Sequence, residues 1–226
     1  MLLNNNGYRS VIKINKDTEI YCSFAKIAGN TGCQIMNTAF YYYDLNKIYK
    51  SFSVDSIEDA VKAVRTLNIK GFAVTMPYKV EILKYVDKMT GEVDNIGSAN
   101  TVINNGGILK AYNTDYLAAK YILKDWVGNK LYILGNGGYA KAVKSAAMSL
   151  DIKYEVLTRK WNNWDDVKYI KDSVVYNCTP VENIKVDKSN NFIDCIVTTE
   201  TGKKLAMLQA SHQFKLYTGL EFPYEK

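Results

Sequence analysis

Polar residues gather at three points where apolar runs of this sequence meet turns. Thr75 and Lys79 mark the first point, Asn100 the second, and Asn113 and Asp115 the third. Side chains at strand ends can point into a cleft while the backbone stays rigid. One lysine and one carboxylate among uncharged hydrogen-bonding groups suit a small polyhydroxylated ligand and a proton transfer. On the local pattern alone, Lys79 also fits a solvated helix start and Asp115 a helix cap.

A glycine-rich turn lies between a strand and a helix in the second half of the chain. The apolar segment Lys130–Leu134 runs into Gly135-Asn136-Gly137-Gly138-Tyr139-Ala140, and we expect a helix over Lys141–Leu150. Glycine permits a tight turn, and backbone N–H groups at a helix N-terminus can bind a pyrophosphate. The pattern therefore predicts a dinucleotide site formed by Gly135, Gly137, Gly138, Tyr139 and Ala140.

The next predicted strand, Lys153–Leu157, ends at a basic turn made of Thr158, Arg159 and Lys160. An enzyme that prefers NAD usually has Asp or Glu at this point to bind the ribose hydroxyls. Two cations suit the 2′-phosphate of NADP instead. A solvated basic turn without a ligand is the alternative interpretation of Arg159 and Lys160.

The amino-acid sequences of these segments resemble motifs of the shikimate dehydrogenase family. The segments read VTMPYK at Val74–Lys79, IGSANTV at Ile96–Val102 and YNTD at Tyr112–Asp115. The family's corresponding motifs read roughly NVTxPxK, IGAxNT and NTD. The divergent shikimate dehydrogenase-like branch is more similar still, and the resemblance extends from about Asp17 to Gly219 with gaps late in the chain.

The resemblance implies an NADP-dependent oxidoreductase of the chorismate pathway of aromatic amino acid biosynthesis. Its reaction would be reversible hydride transfer between NADP and a secondary alcohol of a shikimate- or quinate-type cyclic polyol acid. Lys79 would be the acid/base, and Asp115 would hold the lysine ammonium and the adjacent hydroxyl in place. The side chains expected to bind the substrate hydroxyls are Thr75, Asn100 and Gln209.

The expected pocket for the substrate carboxylate departs from the family's pattern. The family has a Ser-x-Ser pair shortly before His-Asn, whereas this chain has Met36-Asn37 in place of His-Asn and Asn30 and Gly32 in place of the serines. Ser23 matches a serine on the first strand of the divergent branch. Since two hydroxyl donors are replaced, we expect weak activity on shikimate itself.

The segment Asn177-Cys178-Thr179-Pro180 resembles the family's Asn-Ala-Thr-Pro beside the nicotinamide. The resemblance implies that Asn177 and Thr179 contact the cofactor. Beyond this motif the chain is shorter than the family pattern. A second hypothesis is therefore a ligand- or nucleotide-binding protein on the same fold, without useful turnover. A methylene-tetrahydrofolate dehydrogenase-like enzyme is a third, which the wording of VTMPYK and YNTD disfavours.

Composition narrows the class of protein further. The 226 residues are 47% hydrophobic and 23% charged, which excludes a disordered chain. The net charge of +6 is spread along the sequence and forms no nucleic-acid-binding motif. No apolar run approaches a membrane span, and the first residues lack the features of a signal peptide. We expect a cytoplasmic protein with a small-molecule partner, and a homodimer is left open.

Histidine and cysteine usage limits the available chemistry. His212 is the single histidine and lies in a predicted helix, which disfavours Ser-His-Asp catalysis and histidine-rich metal sites. The four cysteines are scattered without a CxxC pair, so we expect reduced thiols and no metal site at Cys22, Cys33, Cys178 and Cys195.

Two α/β domains are expected from the order of elements. A strand at Lys47–Val54, a helix capped by Asp55 with Glu58 in a capping box, and a strand at Gly71–Met76 form a βαβ unit, which predicts a parallel sheet. Asn105-Gly106 predicts a hairpin that ends the first domain. We assign residues 1–113 and 203–226 to a mixed α/β substrate domain, with the helix Lys203–Tyr217 returning to it, and residues 114–202 to a reduced Rossmann-type NADP domain.

Overall fold

A computed structural model describes residues 14–224, which divide into two compact α/β units. The first unit contains the described residues up to Asp94, the segment Ala99–Thr114 and the residues from Ala210 onward. The second contains Asn95–Ser98 and Asp115–Gln209. The predicted α/β class with two domains is confirmed.

The first unit is built on a six-stranded sheet of order β2-β1-β3-β5-β6-β4. Strand β1 pairs in parallel with β2 and β3, whereas β5 is antiparallel to both β3 and β6. The strands are β1 (Glu19–Ala25), β2 (Lys47–Ser53), β3 (Gly71–Val74), β4 (Lys88–Met89), β5 (Thr101–Asn105) and β6 (Ile108–Tyr112). The β5–β6 pairing is the hairpin that Asn105-Gly106 predicted.

Helices cover the first sheet, and one of them comes from the end of the chain. They are α1 (Thr31–Tyr42), α2 (Ile57–Thr66), the short α3 (Gly91–Ile96), and the last helix, α6 (Glu200–Thr218). From Ala210 onward α6 packs within the first unit, where Phe214 and Tyr217 join a buried cluster with Tyr21 and Phe40. The C-terminal part of this helix therefore returns to the first unit, but from Ala210 onward rather than from Lys203.

The first residues of helix α2 correct one expectation. The sequence placed Asp55 at the cap with Glu58 in a capping box, but the cap is Ser56, whose Oγ accepts a hydrogen bond from the Asp59 N–H at 3.1 Å. The N-cap residue directly precedes the first helical residue and has an extended backbone, and Ser56 has φ −133° and ψ 121°. Asp55 lies one residue further out and forms an ion pair with Lys26.

The second unit is a four-stranded, wholly parallel sheet of order β10-β9-β7-β8. Its strands are β7 (Leu131–Leu134), β8 (Tyr154–Leu157), β9 (Val174–Asn177) and β10 (Asn191–Asp194), and its helices are α4 (Thr114–Leu123) and α5 (Gly138–Ser149). The connection from β9 to β10 contains neither helix nor strand. This short connection makes the unit a reduced version of a doubly wound fold.

Several element boundaries differ from the sequence-based expectation. Helix α5 begins at Gly138 rather than Lys141, because Gly137 takes the cap position. Helix α6 begins at Glu200 rather than Lys203. Within residues 14–224, no helix combines the length and the apolar character needed to cross a membrane.

Candidate functional site

The predicted polar clusters of the first unit meet at one edge of its sheet. Strands β1, β3 and β6 end at this edge, and the antiparallel β5 begins there. Thr75 directly follows β3, Asn100 directly precedes β5, and Asn113 directly follows β6. The fold thus brings together residues that are up to 38 positions apart in sequence (113 − 75 = 38).

Lys79 is held at this edge by backbone hydrogen bonds. It follows the cis Met76–Pro77 peptide, and its carbonyl accepts a hydrogen bond from the Ala99 N–H at 2.8 Å. The next residue, Asn100, accepts at its carbonyl from the Val74 N–H at 2.8 Å. The backbone of Lys79 therefore lies next to the start of β5, and its side chain is half-buried.

Asn100 has a positioning role that the sequence did not reveal. Its Oδ1 accepts hydrogen bonds from the Thr114 N–H at 2.8 Å and the Thr101 hydroxyl at 2.9 Å, and its Nδ2 donates to Thr114 Oγ1 at 2.9 Å. Only 2% of its surface is exposed. Asn100 therefore fixes Thr114, the residue immediately before Asp115.

Gln213 is a second residue that sequence reasoning missed. Its Nε2 donates to Thr101 Oγ1 at 2.9 Å, and the side chain is buried. Its position four residues after Gln209, on the same face of the helix, was the available signal. The predicted Gln209 lies one helical turn earlier, in the second unit, where its Nε2 donates to the Ala206 carbonyl at 3.1 Å.

Asp115 belongs to the second unit and is buried, with 5% of its surface exposed. Helix α4 begins at Thr114, so Asp115 is its second residue rather than the residue that caps it. The interpretation of Asp115 as the helix cap is therefore wrong. A carboxylate in a first helical turn is still favoured by the helix dipole.

The expected carboxylate pocket contains a linked set of polar groups. Ser23 on β1 donates from its Oγ to Ser51 Oγ on β2 at 2.9 Å, and Ser51 Oγ lies 3.1 Å from Cys33 Sγ. Burial raises the pKa of the Tyr49 hydroxyl, and a hydrogen bond with Ser23 opposes this rise. Ser51 and Tyr49 were not predicted, because only the β1–β2 register places them beside Ser23.

Asn30 and Asn37 frame the same region. Asn30 precedes helix α1 without capping it through its side chain, and its carbonyl accepts from the Gln34 N–H at 3.0 Å. Asn37 donates from Nδ2 to the Tyr49 carbonyl and accepts at Oδ1 from the Tyr49 N–H, both at 2.8 Å. The asparagine of the family's His-Asn pair is thus retained as a clamp between α1 and β2.

In the second unit, the glycine turn has the geometry of a phosphate-binding turn. Gly135 has φ +103°, and a Cβ there would lie 2.6 Å from the Thr179 methyl group, so only glycine fits. Gly137 caps α5 without a side chain, which leaves room for a phosphate at the N-terminus of this 12-residue helix. These residues fit a dinucleotide.

The side chains of Tyr139 and Ala140 serve the core of the second unit. The Tyr139 hydroxyl lies 2.8 Å from that of Tyr176, and Ala140 is fully buried. Burial raises the pKa of Tyr139 well above its usual value, and the neighbouring Tyr176, Cys178 and Asp115 raise it further. At these two positions, the backbone rather than the side chain is the candidate contact for a phosphate.

The basic turn after β8 keeps its cations exposed. Thr158 Oγ1 accepts from the Lys160 N–H at 3.2 Å, so this side chain shapes the turn. The Arg159 guanidinium lies 5.2 Å from the ring centroid of Trp164. Arg159 and Lys160 are both exposed, as a ligand phosphate requires.

Asn177 and Thr179 are held by hydrogen bonds within their own loop. Asn177 Oδ1 accepts from the Thr179 N–H at 2.9 Å and from its hydroxyl at 2.7 Å, and Asn177 Nδ2 donates to Asp194 Oδ1 at 3.0 Å. Asn177 is fully buried. These bonds hold the loop together and join Asn177 to the end of β10, and the predicted cofactor contacts of both residues stay predictions.

The described part of the chain contains no group of side chains that suits a metal ion, and its histidine lies in a helix. Among residues 14–224, no group of three or more His, Cys, Asp or Glu side chains could hold a metal ion. His212 is half-buried on α6, where burial and, to a smaller degree, Lys215 lower its pKa. These features agree with a packing role for His212.

Known proteins are similar to this chain in both sequence and fold. Residues 25–102 match the model of the shikimate dehydrogenase substrate binding domain. A shikimate dehydrogenase-like protein of Haemophilus influenzae is 40% identical over 136 residues, which are 59% of this chain and 50% of the relative. Shikimate dehydrogenase (NADP(+)) of Clostridium botulinum is 34% identical over 173 residues, which are 65% of this chain and 67% of the relative.

Among solved structures, shikimate dehydrogenase 1 from Peptoclostridium difficile has a TM-score of 0.78 at 25% identity, covering 90% of this chain and 93% of that chain. The sequence matches span about half to two thirds of the length of the curated relatives. The extent of the match to the Clostridium botulinum enzyme and the order of the motifs show that this chain belongs to the shikimate dehydrogenase family.

Proposed function

We propose that the chain is an NADP-dependent, shikimate dehydrogenase-like oxidoreductase. Its reaction is reversible hydride transfer at a secondary alcohol of a shikimate- or quinate-type cyclic polyol acid. The observation that carries this proposal is the grouping of Thr75, Lys79 and Asn100 at one edge of the first sheet, in a chain of this family. Polar side chains at a rigid sheet edge are suited to bind and orient several substrate hydroxyls.

The protein's own side chains carry out the proton transfer. When bound, NADP accepts or supplies the hydride at its nicotinamide. Lys79 removes the proton from the substrate hydroxyl, or returns it, and Asp115 holds the lysine ammonium and that hydroxyl in place. Thr75, Asn100 and Gln209 bind the remaining hydroxyls. A substrate analogue that lacks one hydroxyl is rejected because a buried polar group is then left unpaired.

The second unit supplies the cofactor site. The glycine turn and the first turn of α5 receive the pyrophosphate, and the exposed Arg159 and Lys160 receive the 2′-phosphate. The loop Asn177–Thr179, which packs against Gly135, lies beside the nicotinamide. The similarity of this chain to shikimate dehydrogenase (NADP(+)) of Clostridium botulinum supports this cofactor.

The substrate differs from shikimate around its carboxylate. Asn30 and Gly32 stand in place of the family's Ser-x-Ser pair, and Ser23 and Ser51 lie on the neighbouring strands β1 and β2, so the remaining donors approach the carboxylate from different positions. Each hydrogen bond lost to a charged group costs about 1.5–3 kcal/mol, so the loss of both serines lowers the efficiency on shikimate by about two to four decades. Cytoplasmic location and a homodimer stay predictions.

Turnover with a panel of shikimate, quinate and their amino-substituted relatives tests the proposal. Reduction of NADP and NAD is followed by nicotinamide absorbance for each compound. We expect activity with NADP on at least one member other than shikimate, and a much lower specificity constant for shikimate. Activity with NAD alone, or a specificity constant for shikimate near the diffusion limit, contradicts this account.

A ligand- or nucleotide-binding protein without turnover is the second candidate function. This hypothesis is favoured by the altered carboxylate pocket and by the short connection from β9 to β10. In that case calorimetry detects NADP binding, while no compound of the panel reduces the nucleotide. The same two measurements therefore separate the candidates.

A further inference from the structure

Cys178 and Cys195 lie at the carboxyl edge of the parallel sheet of the second unit, immediately after β9 and β10. The paired register of these strands ends with Asn177 opposite Asp194, so the two cysteines occupy the next pair of positions. The pairing continues to this point, because the Cys195 N–H donates to the Asn177 carbonyl at 3.2 Å. Opposite residues of neighbouring strands have Cα atoms about 4.8 Å apart, within the range of about 4.4–6.8 Å that a disulfide spans.

Both side chains lie on the same face of the sheet. Tyr176 and Ile193, each two residues earlier on its strand, belong to the buried cluster against which both cysteines pack. Val175 and Phe192, each one residue before these, pack in a different cluster on the opposite face. Because strand side chains alternate between faces, the two sulfur atoms share one side of the sheet.

The chain has a cation near one of these thiols. Lys144 on α5 donates to Asn136 Oδ1 at 2.7 Å. Burial and Lys141 lower the pKa of Lys144, whereas its nearness to Cys178 opposes this change. A neighbouring ammonium favours the thiolate form of a cysteine, which is the form that reacts with peroxides. Both cysteines are half-buried rather than sealed in the core.

We propose that Cys178 and Cys195 form a dithiol–disulfide site that is oxidised by hydroperoxides and thereby weakens dinucleotide binding. The Cys178 thiolate attacks an oxygen of hydrogen peroxide, the O–O bond breaks, and the cysteine becomes a sulfenic acid while hydroxide leaves and takes up the proton that the thiol released, giving one water. The Cys195 thiol then attacks that sulfur, the S–O bond breaks, and a second water leaves as the disulfide forms. The two thiols are oxidised and hydrogen peroxide is reduced, so the balance is complete.

The site can affect the nucleotide because its backbone contacts the glycine turn. A Cβ at Gly135 would lie 3.6 Å from the Cys178 carbonyl oxygen and 2.6 Å from the Thr179 methyl group. A disulfide needs its Cβ atoms about 3.8 Å apart, whereas side chains of neighbouring strands start about 4.8 Å apart, so the two Cβ atoms must approach each other by about 1 Å. A movement of this size in the loop after β9 can break a hydrogen bond to the pyrophosphate, and the loss of one hydrogen bond to a charged group lowers affinity about ten- to a hundredfold. This consequence rests on the proposed NADP site, whereas disulfide formation does not.

The test oxidises the intact reduced protein with a small excess of hydrogen peroxide. We expect two thiols to disappear, the mass to fall by two hydrogen atoms, and a digest to contain a peptide pair joined through Cys178 and Cys195. NADP affinity, measured by calorimetry, should fall about ten- to a hundredfold and return after treatment with dithiothreitol. Cys178→Ala, which introduces the alanine of the family motif, should form no disulfide and keep the same NADP affinity before and after peroxide.

Cys33→Ala is the matched control, since Cys33 is a half-buried cysteine of the first unit, and this variant should still form the disulfide. Absence of the joined peptides in the oxidised protein overturns the proposal. A disulfide that leaves NADP affinity unchanged overturns the proposed effect on binding. If the reduced protein binds no NADP while the disulfide forms, the dithiol site stands and the proposed NADP function fails.

Discussion

Arg159 is the residue proposed to select NADP over NAD. Its guanidinium is exposed and lies over the ring of Trp164, which orients the side chain without burying its charge. No acidic residue stands among Thr158, Arg159 and Lys160 to bind the ribose hydroxyls of NAD. Selectivity for NADP therefore depends on contacts with the 2′-phosphate.

Replacement of Arg159 by alanine should weaken NADP and leave NAD nearly unchanged. A charge-assisted contact with a phosphate contributes about 1.5–3 kcal/mol, which corresponds to about one to two decades of NADP affinity. Calorimetric titration of both nucleotides measures the difference. Lys168→Ala, at an exposed lysine of the same unit, is the control and should change neither affinity. Equal losses for both nucleotides in Arg159→Ala would sink the assignment.

A variant of Asp115 should lower turnover without changing NADP affinity. Asp115→Asn keeps the size of the side chain but removes the charge proposed to hold the Lys79 ammonium. We expect kcat to fall by about one to two decades while NADP affinity is retained. Steady-state kinetics give the result, with the exposed Asp125→Asn as the control. Unchanged kcat in Asp115→Asn means that this carboxylate has no part in the reaction.

Among the helices and strands, α2 shows most directly how a single residue contributes to the stability of the protein. It is amphipathic, with Ile57, Ala60, Val61 and Val64 buried against the sheet. Its N-terminus depends on one side-chain hydrogen bond, from the Asp59 N–H to Ser56 Oγ. Asp55, the residue that the sequence favoured, makes only an exposed ion pair with Lys26, and such pairs contribute little.

Ser56→Ala should therefore destabilise the protein more than Asp55→Ala does. Loss of an N-cap lowers the free energy of unfolding by about 0.5–2 kcal/mol, while a fully exposed ion pair contributes little. Urea denaturation of both variants and the unmodified protein provides the comparison. A larger loss in Asp55→Ala than in Ser56→Ala would restore the cap that the sequence predicted.

Regular patterns and fixed motifs were predictable from the sequence at this scale. The periodic helix α2, the β5–β6 hairpin at Asn105-Gly106 and the strand–glycine–helix turn were all identified. Strand β4 was missed, because a strand of two residues carries no period. Helix α3 was missed for a similar reason, since its six residues GEVDNI include only two apolar side chains.

For the whole molecule, the unpredicted part of the site comes from contacts between distant segments. Ser51 meets Ser23 only through the register of β1 with β2, and Gln213 meets Thr101 across 112 positions. Asn100 was identified from its motif, but its bonds to Thr114 depend on how β5 and β6 pair. Local sequence shows which residues are polar at a strand end, whereas tertiary pairing decides which of them touch.

If Lys79 is the acid/base of an NADP-dependent oxidoreductase, its replacement should lower turnover without weakening NADP binding. The initial rate of NADP reduction with the best substrate of the panel is measured for the unmodified protein, Lys79→Ala and the control Lys84→Ala, an exposed lysine five positions later (84 − 79 = 5). NADP affinity is measured alongside. We predict that turnover falls by about two to four decades in Lys79→Ala alone and that all three proteins retain their NADP affinity. Near-normal turnover in Lys79→Ala would contradict it.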